Sequence, residues 1–183
     1  MKIIKLMNKI IVSALFVLYM YAIIRVILFK FRWRDISFLW YQLQTNLGNP
    51  VNLINELKMG NLMPFKTIFI NIQSLSSWPD FSNLVGNIVA FIPFGMFLVL
   101  LSKNRRMSFI SVFISSFSFS LCIESLQVVF SLGIFDVDDL ILNTSGGLLG
   151  YCVIKLCDKV YNILFVNSSS SVGDREIVDK QEF

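Results

Sequence analysis

Long apolar stretches alternate with shorter polar ones along the chain, and this pattern predicts its principal elements. Four stretches are almost entirely apolar, and they cover residues Ile10–Phe29, Leu84–Leu101, Phe109–Phe130 and Leu140–Leu156. A helix needs about 17–25 mostly apolar residues to cross a bilayer, so all four stretches qualify, the second and fourth at the short end. The pattern predicts an all-α membrane protein, a bundle of about four transmembrane helices.

The polar positions between the first two stretches form one long connection, residues 30–83. Its tryptophans include Trp40 and Trp78, and tryptophan prefers the headgroup level of a membrane. We expect this first loop to hug the membrane surface, with a short re-entrant or amphipathic piece. Three parts are thereby predicted: an anchor helix with an interfacial segment at 1–60, the main transmembrane domain at 61–160, and a disordered polar tail at 161–183.

Charge changes this picture by giving the bundle an orientation. The chain has 183 residues, of which 15% are charged, and a net charge of +4. Lysine and arginine favour the cytoplasmic side, so the short loop with Lys103, Arg105 and Arg106 predicts a multi-pass protein of the cell membrane with both termini in the cytoplasm. The basic residues Lys30, Arg32 and Arg34 then fall on the outer side. Because basic residues flank the membrane segments, the positive charge does not require nucleic acid as a partner.

Composition also excludes several kinds of chemistry. The chain has no histidine, which removes the commonest general base and metal ligand and rules out Ser-His and Cys-His nucleophile pairs. Its three cysteines lack zinc-like spacing. The sequence therefore predicts neither a cofactor nor a specific metal site.

The third apolar stretch contains a carboxyl and an amide, Glu124 and Gln127. They are three residues apart and thus share one helix face. An ionisable group inside a membrane costs about 3 kcal/mol even on the lenient insertion scale, so it requires an explanation. Glu124 is either functional, as a proton carrier, general acid/base or cation ligand, or part of a structural polar clamp with Gln127, Asn87 and Asn143.

An acidic turn with Asp136, Asp138 and Asp139 precedes the fourth stretch. Capping of the following helix by Asp138 or Asp139 is the structural interpretation, which makes Asp136 the better functional candidate. Acids without histidine suit a hard cation, the ammonium of a lipid headgroup or a cationic antibiotic. The predicted outward-facing pocket consists of Glu124, Gln127, Asp136, Asp139, Asn87 and Asn143.

Helix packing is indicated by two further features. Pro93 and Gly95 predict a kink or break in the second membrane helix. Gly146 and Gly150 have GxxxG spacing in the fourth, which brings helices close together and makes a homodimer through this face possible.

Four sequence pieces together resemble the VanZ family of bacterial membrane proteins. They are Asn61-Leu-Met-Pro-Phe65, Asn87-Ile-Val-Ala-Phe-Ile-Pro-Phe-Gly95, Glu124-Ser-Leu-Gln127, and Phe135-Asp-Val-Asp-Asp-Leu-Ile-Leu-Asn143 with the glycines after it. Many relatives carry an arginine shortly before the Phe-Asp of the last piece, and this chain does not. The resemblance implies an all-α membrane domain and, for the namesake, low-level resistance to the glycopeptide teicoplanin.

Three functions from different classes follow, of which a transporter is the third, because four helices without a visible internal repeat are few for alternating access unless the protein oligomerises. The first is a cell-envelope protein that affects susceptibility to glycopeptides or lipoglycopeptides by binding envelope lipid, a lipid-linked precursor or the drug. The alternative is a membrane-embedded enzyme on a lipid-linked envelope substrate, with Glu124 as acid/base and Asp136 positioning phosphate or water.

Overall fold

The computed structural model of the chain describes residues 2–28, 35–73, 77–103 and 106–163. These residues contain no strand, and they form seven α-helices: α1 Lys2–Ile23, α2 Ile36–Gly48, α3 Pro50–Met59, α4 Lys66–Gln73, α5 Trp78–Leu101, α6 Phe109–Val129 and α7 Val137–Tyr161. A π-helical segment, Ile24–Leu28, extends α1. The predicted tail falls mostly at 164–183, and like Lys30, Arg32 and Arg34 this range lies outside the described residues.

Four of these helices are long and apolar enough to cross a membrane, and they cover Lys9–Ile27, Trp78–Leu101, Phe109–Val129 and Val137–Tyr161. The predicted all-α bundle of four membrane helices is therefore confirmed. α5 and α7 begin at Trp78 and Val137, earlier than the apolar stretches indicated. The reason is capping: Ser77 accepts from the backbone N–H of Asp80, so the first turn of α5 tolerates polar residues that a hydropathy pattern excludes.

Glycines allow α5 and α7 to pack backbone against backbone. A Cβ on Gly146 would overlap the carbonyl oxygen of Ile88, and a Cβ on Gly150 would overlap that of Ile92. The GxxxG pair thus serves a close helix approach inside the chain, as small residues do in membrane proteins. The homodimer through these two glycines stays a prediction.

The apolar interior has two parts, one between α1, α5 and α6 near the ends of α1 and α6, and one between α5, α6 and α7. One cluster of buried side chains consists of Ile23, Ile27, Phe91, Phe94 and Ile123, and a second, toward the opposite end of the bundle, consists of Val99, Val112 and Ile154. Outer helix faces carry exposed large apolar side chains, for example Val17 and Leu18 on α1. Such faces suit lipid rather than water.

Pro93 lies inside a continuous α5, so a break at this position is wrong, and the alternative of a kink stays a prediction. Proline lacks an N–H and disturbs the helix one turn before it. In this region the Tyr19 hydroxyl of α1 donates to the carbonyl of Ala90 at 2.6 Å. This bond joins α1 to α5 at the residue after Val89, whose carbonyl is the one that loses its partner N–H at Pro93.

The long first connection is largely helical and covers one end of the bundle, where α1 and α6 end and α7 begins. We call this the polar end. On α2, the Asn46 amide donates to the carbonyl of Val129 at 2.9 Å and to the Ser131 hydroxyl at 3.1 Å. α4 contacts both α5 and α7. This arrangement agrees with the expected membrane-hugging loop, and its helices hold the residues of the polar end in place.

Candidate functional site: a buried polar cluster with an open cleft

Glu124 and Gln127 are both buried near the end of α6, with exposed fractions of 0% and 2%. Glu124 Oε2 accepts a hydrogen bond from the backbone N–H of Asp136 at 3.1 Å. The Gln127 amide donates to the carbonyl of Ile27 at 3.1 Å. The pair therefore connects α6 with the acidic turn on one side and with the end of α1 on the other.

The three aspartates of the acidic turn have different partners. Asp136 is the N-cap of α7, because its Oδ1 accepts from the backbone N–H of Asp138 at 2.8 Å. The expectation that Asp138 or Asp139 is the cap is wrong, since the side chain must precede the first turn to reach its free N–H groups. Asp139 instead accepts from the Asn87 amide of α5 at 2.6 Å.

The sequence analysis named Asp138 as a cap of α7, and the structure gives it another role. Its carboxylate is fully buried and accepts from the backbone N–H groups of Phe65 at 2.5 Å and of Ile68 at 3.0 Å. These two groups belong to the start of α4, so Asp138 satisfies the first turn of a helix distant in sequence. It also complements the positive end of that helix dipole.

Asn61 is the residue that sequence reasoning missed as a site residue, and it holds the connection against the acidic turn. Its backbone forms an isolated parallel bridge: the N–H of Asn61 donates to Phe135 O at 2.8 Å, and Asn61 O accepts from the N–H of Val137 at 3.0 Å. Its side-chain amide donates to Asp136 Oδ1 at 2.9 Å and to the Thr67 hydroxyl at 3.1 Å. The signal available in the sequence was its place at the head of the first family-like piece.

Asn143 lies deeper in the bundle than the acidic turn. It is fully buried, and its amide donates to the Ser120 hydroxyl at 2.9 Å. Ser116, Ser120 and Glu124 follow one another at intervals of four on α6, and all are fully buried. The cluster therefore continues from the polar end into the membrane span as a polar stripe on one helix face.

The structure brings the predicted residues together in pairs rather than as a single chamber. Glu124 meets the turn at Asp136, Asn87 meets Asp139, and Asn143 bonds to α6 below them. Within the described part of the chain, no group of three or more His, Cys, Asp or Glu side chains is placed to hold a metal ion. The acids of the turn act as hydrogen-bond acceptors, and the Asn61 amide donates to both Asp136 and Asp138.

An open cleft of about 600 Å³ lies beside this cluster, between the ends of α1 and α6 and the beginnings of α5 and α7. Three of the six predicted residues line it: Asn87, Gln127 and Asp139. Glu124, Asp136 and Asn143 lie outside the lining. The predicted pocket is thus partly a buried polar cluster and partly a cleft.

The fold and the site define a class: a multi-pass α-helical membrane protein whose interfacial helices are held by a buried polar cluster at one end of a four-helix bundle. The sequence matches the model of the VanZ/LLP1 family over residues 16–158. It is also 31% identical to Protein VanZ of Enterococcus faecium over an aligned region of 157 residues, and this region covers 85% of this chain and 81% of that protein. The chain belongs to the VanZ/LLP1 family. No solved structure matches it.

Proposed function

We propose that this chain is a bacterial cell-envelope protein that lowers susceptibility to glycopeptide or lipoglycopeptide antibiotics such as teicoplanin. It does so by binding an envelope lipid, a lipid-linked precursor or the drug at the polar end of the bundle. The observation that carries the proposal is the combination of a fully buried membrane carboxyl, Glu124, with an open cleft one turn away at Gln127. The similarity to Protein VanZ of Enterococcus faecium supports it.

The proposed orientation places the polar end on the outer side of the cell membrane. Lys103 and Arg106 lie in the loop between α5 and α6, which is at the opposite end of the bundle. Lys155 and Lys159 lie in the last turns of α7, at that same opposite end. Basic residues favour the cytoplasm, so both termini are cytoplasmic and the cleft faces the envelope.

The carboxyl group of Glu124 distinguishes a ligand-binding role of the cluster from a purely structural one. In the structure Glu124 Oε2 accepts a backbone hydrogen bond, and a glutamine oxygen accepts the same bond without the cost of a carboxyl in the membrane. If the cluster were only a clamp, the neutral amide would serve it at lower cost. The acid therefore supports a role in ligand binding.

The test is teicoplanin and daptomycin susceptibility of a host that expresses wild type, Glu124→Gln or Asp158→Asn at matched membrane levels. Asp158→Asn is the control, because it makes the same acid-to-amide change near the other end of α7. We expect the Glu124→Gln variant alone to lose protection. Equal protection by all three proteins would assign the acid to the scaffold, and no protection by wild type would overturn the proposal.

The enzyme alternative has weaker support. Asp136, which was to position phosphate or water, uses Oδ1 to cap α7 and to accept from Asn61. These bonds favour a structural role for Asp136. Turnover of a labelled lipid-linked precursor by the purified protein would support the enzyme alternative.

A further inference from the structure

The open cleft has the composition of a sugar site, and we propose that it binds the uncharged sugar headgroup of a membrane glycolipid. This inference rests on the proposed function, since it names the class of envelope molecule bound at the polar end. It is carried by the shape of the cleft, by the hydrogen-bonding character of its walls and by an exposed tryptophan at its mouth.

One face of α5 forms the long wall of the cleft. The lining residues of this helix are Pro79, Asp80, Ser82, Asn83, Gly86, Asn87 and Ala90, and they follow Trp78 at its start. From Pro79 to Ala90 this wall rises about 16 Å at 1.5 Å per residue. It consists of small or polar side chains, although it belongs to a membrane span. A volume of about 600 Å³ lies within the usual range of ligand sites.

The polar groups of the lining are mainly neutral. Asn83, Asn87 and Gln127 contribute amides, each with both donors and acceptors. The two carboxylates of the lining, Asp80 and Asp139, each accept a hydrogen bond inside the chain, from Ser77 and from Asn87 respectively. A sugar hydroxyl both donates and accepts, so it matches amides and carboxylates together.

Charged headgroups match these walls less well. A phosphate would meet Asp80 and Asp139, and no lysine or arginine is among the lining residues that the structure describes. An ammonium group only donates, so it would bind the carboxylates and offer no acceptor to the amide N–H groups that are not already bonded inside the chain. The uncharged polyhydroxyl headgroup is the chemistry that uses all of the groups.

Trp78 supplies an apolar surface at the mouth. It is 76% exposed, it lines the cleft, and its ring packs beside Phe81 with centroids 6.0 Å apart. Tryptophan prefers the headgroup level of the membrane, where a glycolipid carries its sugar. The negative ring face attracts the C–H groups of a sugar, while the apolar lining residues Val26 and Ile27 suit the lipid side of the ligand.

Gly86 offers a way to fill the cleft without disturbing the fold. Within 4 Å, a Cβ added there would meet only the Ser82 hydroxyl oxygen among the described residues, at 3.9 Å, so a larger side chain has open space. Leucine also favours a helix more than glycine does. Gly86→Leu should therefore block the ligand while the bundle stays folded. The matched control is Gly48→Leu, at the end of α2, where an added Cβ meets none of the described residues within 4 Å.

The experiment uses the full chain in phosphatidylglycerol nanodiscs that contain diglucosyl diacylglycerol as a minor component, with bound lipid counted by native mass spectrometry. We expect wild type and Gly48→Leu to retain the glycolipid, and Gly86→Leu to retain about tenfold less. Trp78→Ala should weaken retention by about threefold to tenfold. Trp40→Ala is the control: it removes the exposed tryptophan of α2, which is 60% exposed, and should leave glycolipid retention unchanged.

Parallel nanodiscs replace the glycolipid with lysyl-phosphatidylglycerol, which carries ammonium groups, or contain phosphatidylglycerol alone. Preferential retention of either charged lipid overturns the sugar assignment. Equal glycolipid retention by Gly86→Leu and wild type overturns the cleft as the binding site.

Susceptibility assays on the same variants separate this inference from the proposed function. Protection that persists although no glycolipid is retained overturns the inference and leaves the proposed function standing. Glycolipid retention that depends on Gly86, in a protein that gives no protection, supports the inference and overturns the proposed function.

Discussion

Replacement of Asp138 by alanine should destabilise the protein more than its place in a short polar turn indicates. The carboxylate is fully buried and accepts two backbone hydrogen bonds, from Phe65 and from Ile68. A hydrogen bond to a charged group contributes about 1.5–3 kcal/mol, so the two together contribute about 3–6 kcal/mol. Water entering the vacated site recovers part of this, and we expect Asp138→Ala to lower the free energy of unfolding by about 3 kcal/mol.

The loss of the Asp138 carboxylate should change the backbone conformation most at Phe65. It has a φ of 66°, a left-handed conformation that is unfavourable for a bulky residue. The bond from its N–H to Asp138 stabilises that conformation. Without the carboxylate, the backbone at Phe65 should relax and the first turn of α4 should open.

Denaturant unfolding in detergent micelles, followed by circular dichroism, measures the stability change, and amide hydrogen exchange measures the local one. The exchange of Phe65 and Ile68 should accelerate most. Asp138→Asn keeps one acceptor oxygen and should lose about half as much stability. Asp35→Ala is the control, because Asp35 precedes α2 without a side-chain capping bond. If Asp138→Ala and Asp35→Ala had the same stability, the assignment of Asp138 as the cap of α4 would be refuted.

Two further predictions concern helix packing. Gly150→Ala places a methyl group against the α5 backbone and should lower the free energy of unfolding by about 1–3 kcal/mol. Gly48→Ala is the control, because its methyl group lies in open space and should not change the stability measurably. Equal stability of the two variants in thermal or denaturant unfolding would contradict the close approach of α5 and α7. Tyr19→Phe removes the hydroxyl that donates to the Ala90 carbonyl and should lower the free energy of unfolding by about 1 kcal/mol. Tyr21→Phe, at an exposed position, is its control. A Tyr19→Phe variant as stable as wild type would show that this hydrogen bond does not stabilise the fold.

Hydropathy was sufficient to predict the architecture, because membrane spans must be long and apolar wherever they occur in a fold. It placed the starts of α5 and α7 too late, since their first turns contain polar residues such as Asp80 and Asp138 that capping and burial accommodate. The three helices α2, α3 and α4 were expected only as a surface-hugging connection. They have only 13, 10 and 8 residues and are separated by turn residues such as Gly60, so a hydropathy pattern that detects membrane spans does not resolve them.

The candidate site could be predicted in its members more easily than in its contacts. Glu124 and Gln127 stood out because polar residues are rare in membrane spans. The role of Asp138 could not be predicted in the same way, since its partners at Phe65 and Ile68 are more than two helices away and no local pattern indicates them. Capping by Asp136 was misassigned for a related reason: the choice among three neighbouring acids depends on where the backbone turns into helix.

The long sequence separation of the Asp138 contacts has a consequence for biosynthesis. Ile68 precedes Asp138 by 70 residues. Because a ribosome adds about 5–20 residues per second, Asp138 is synthesised about 4–14 s after the helix that its carboxylate caps, α4. During that interval its first N–H groups are left to the membrane interface. The first turn of α4 can therefore be capped only after α7 has followed α6 into the membrane, so the capping of α4 comes later than its contacts with α5 can form.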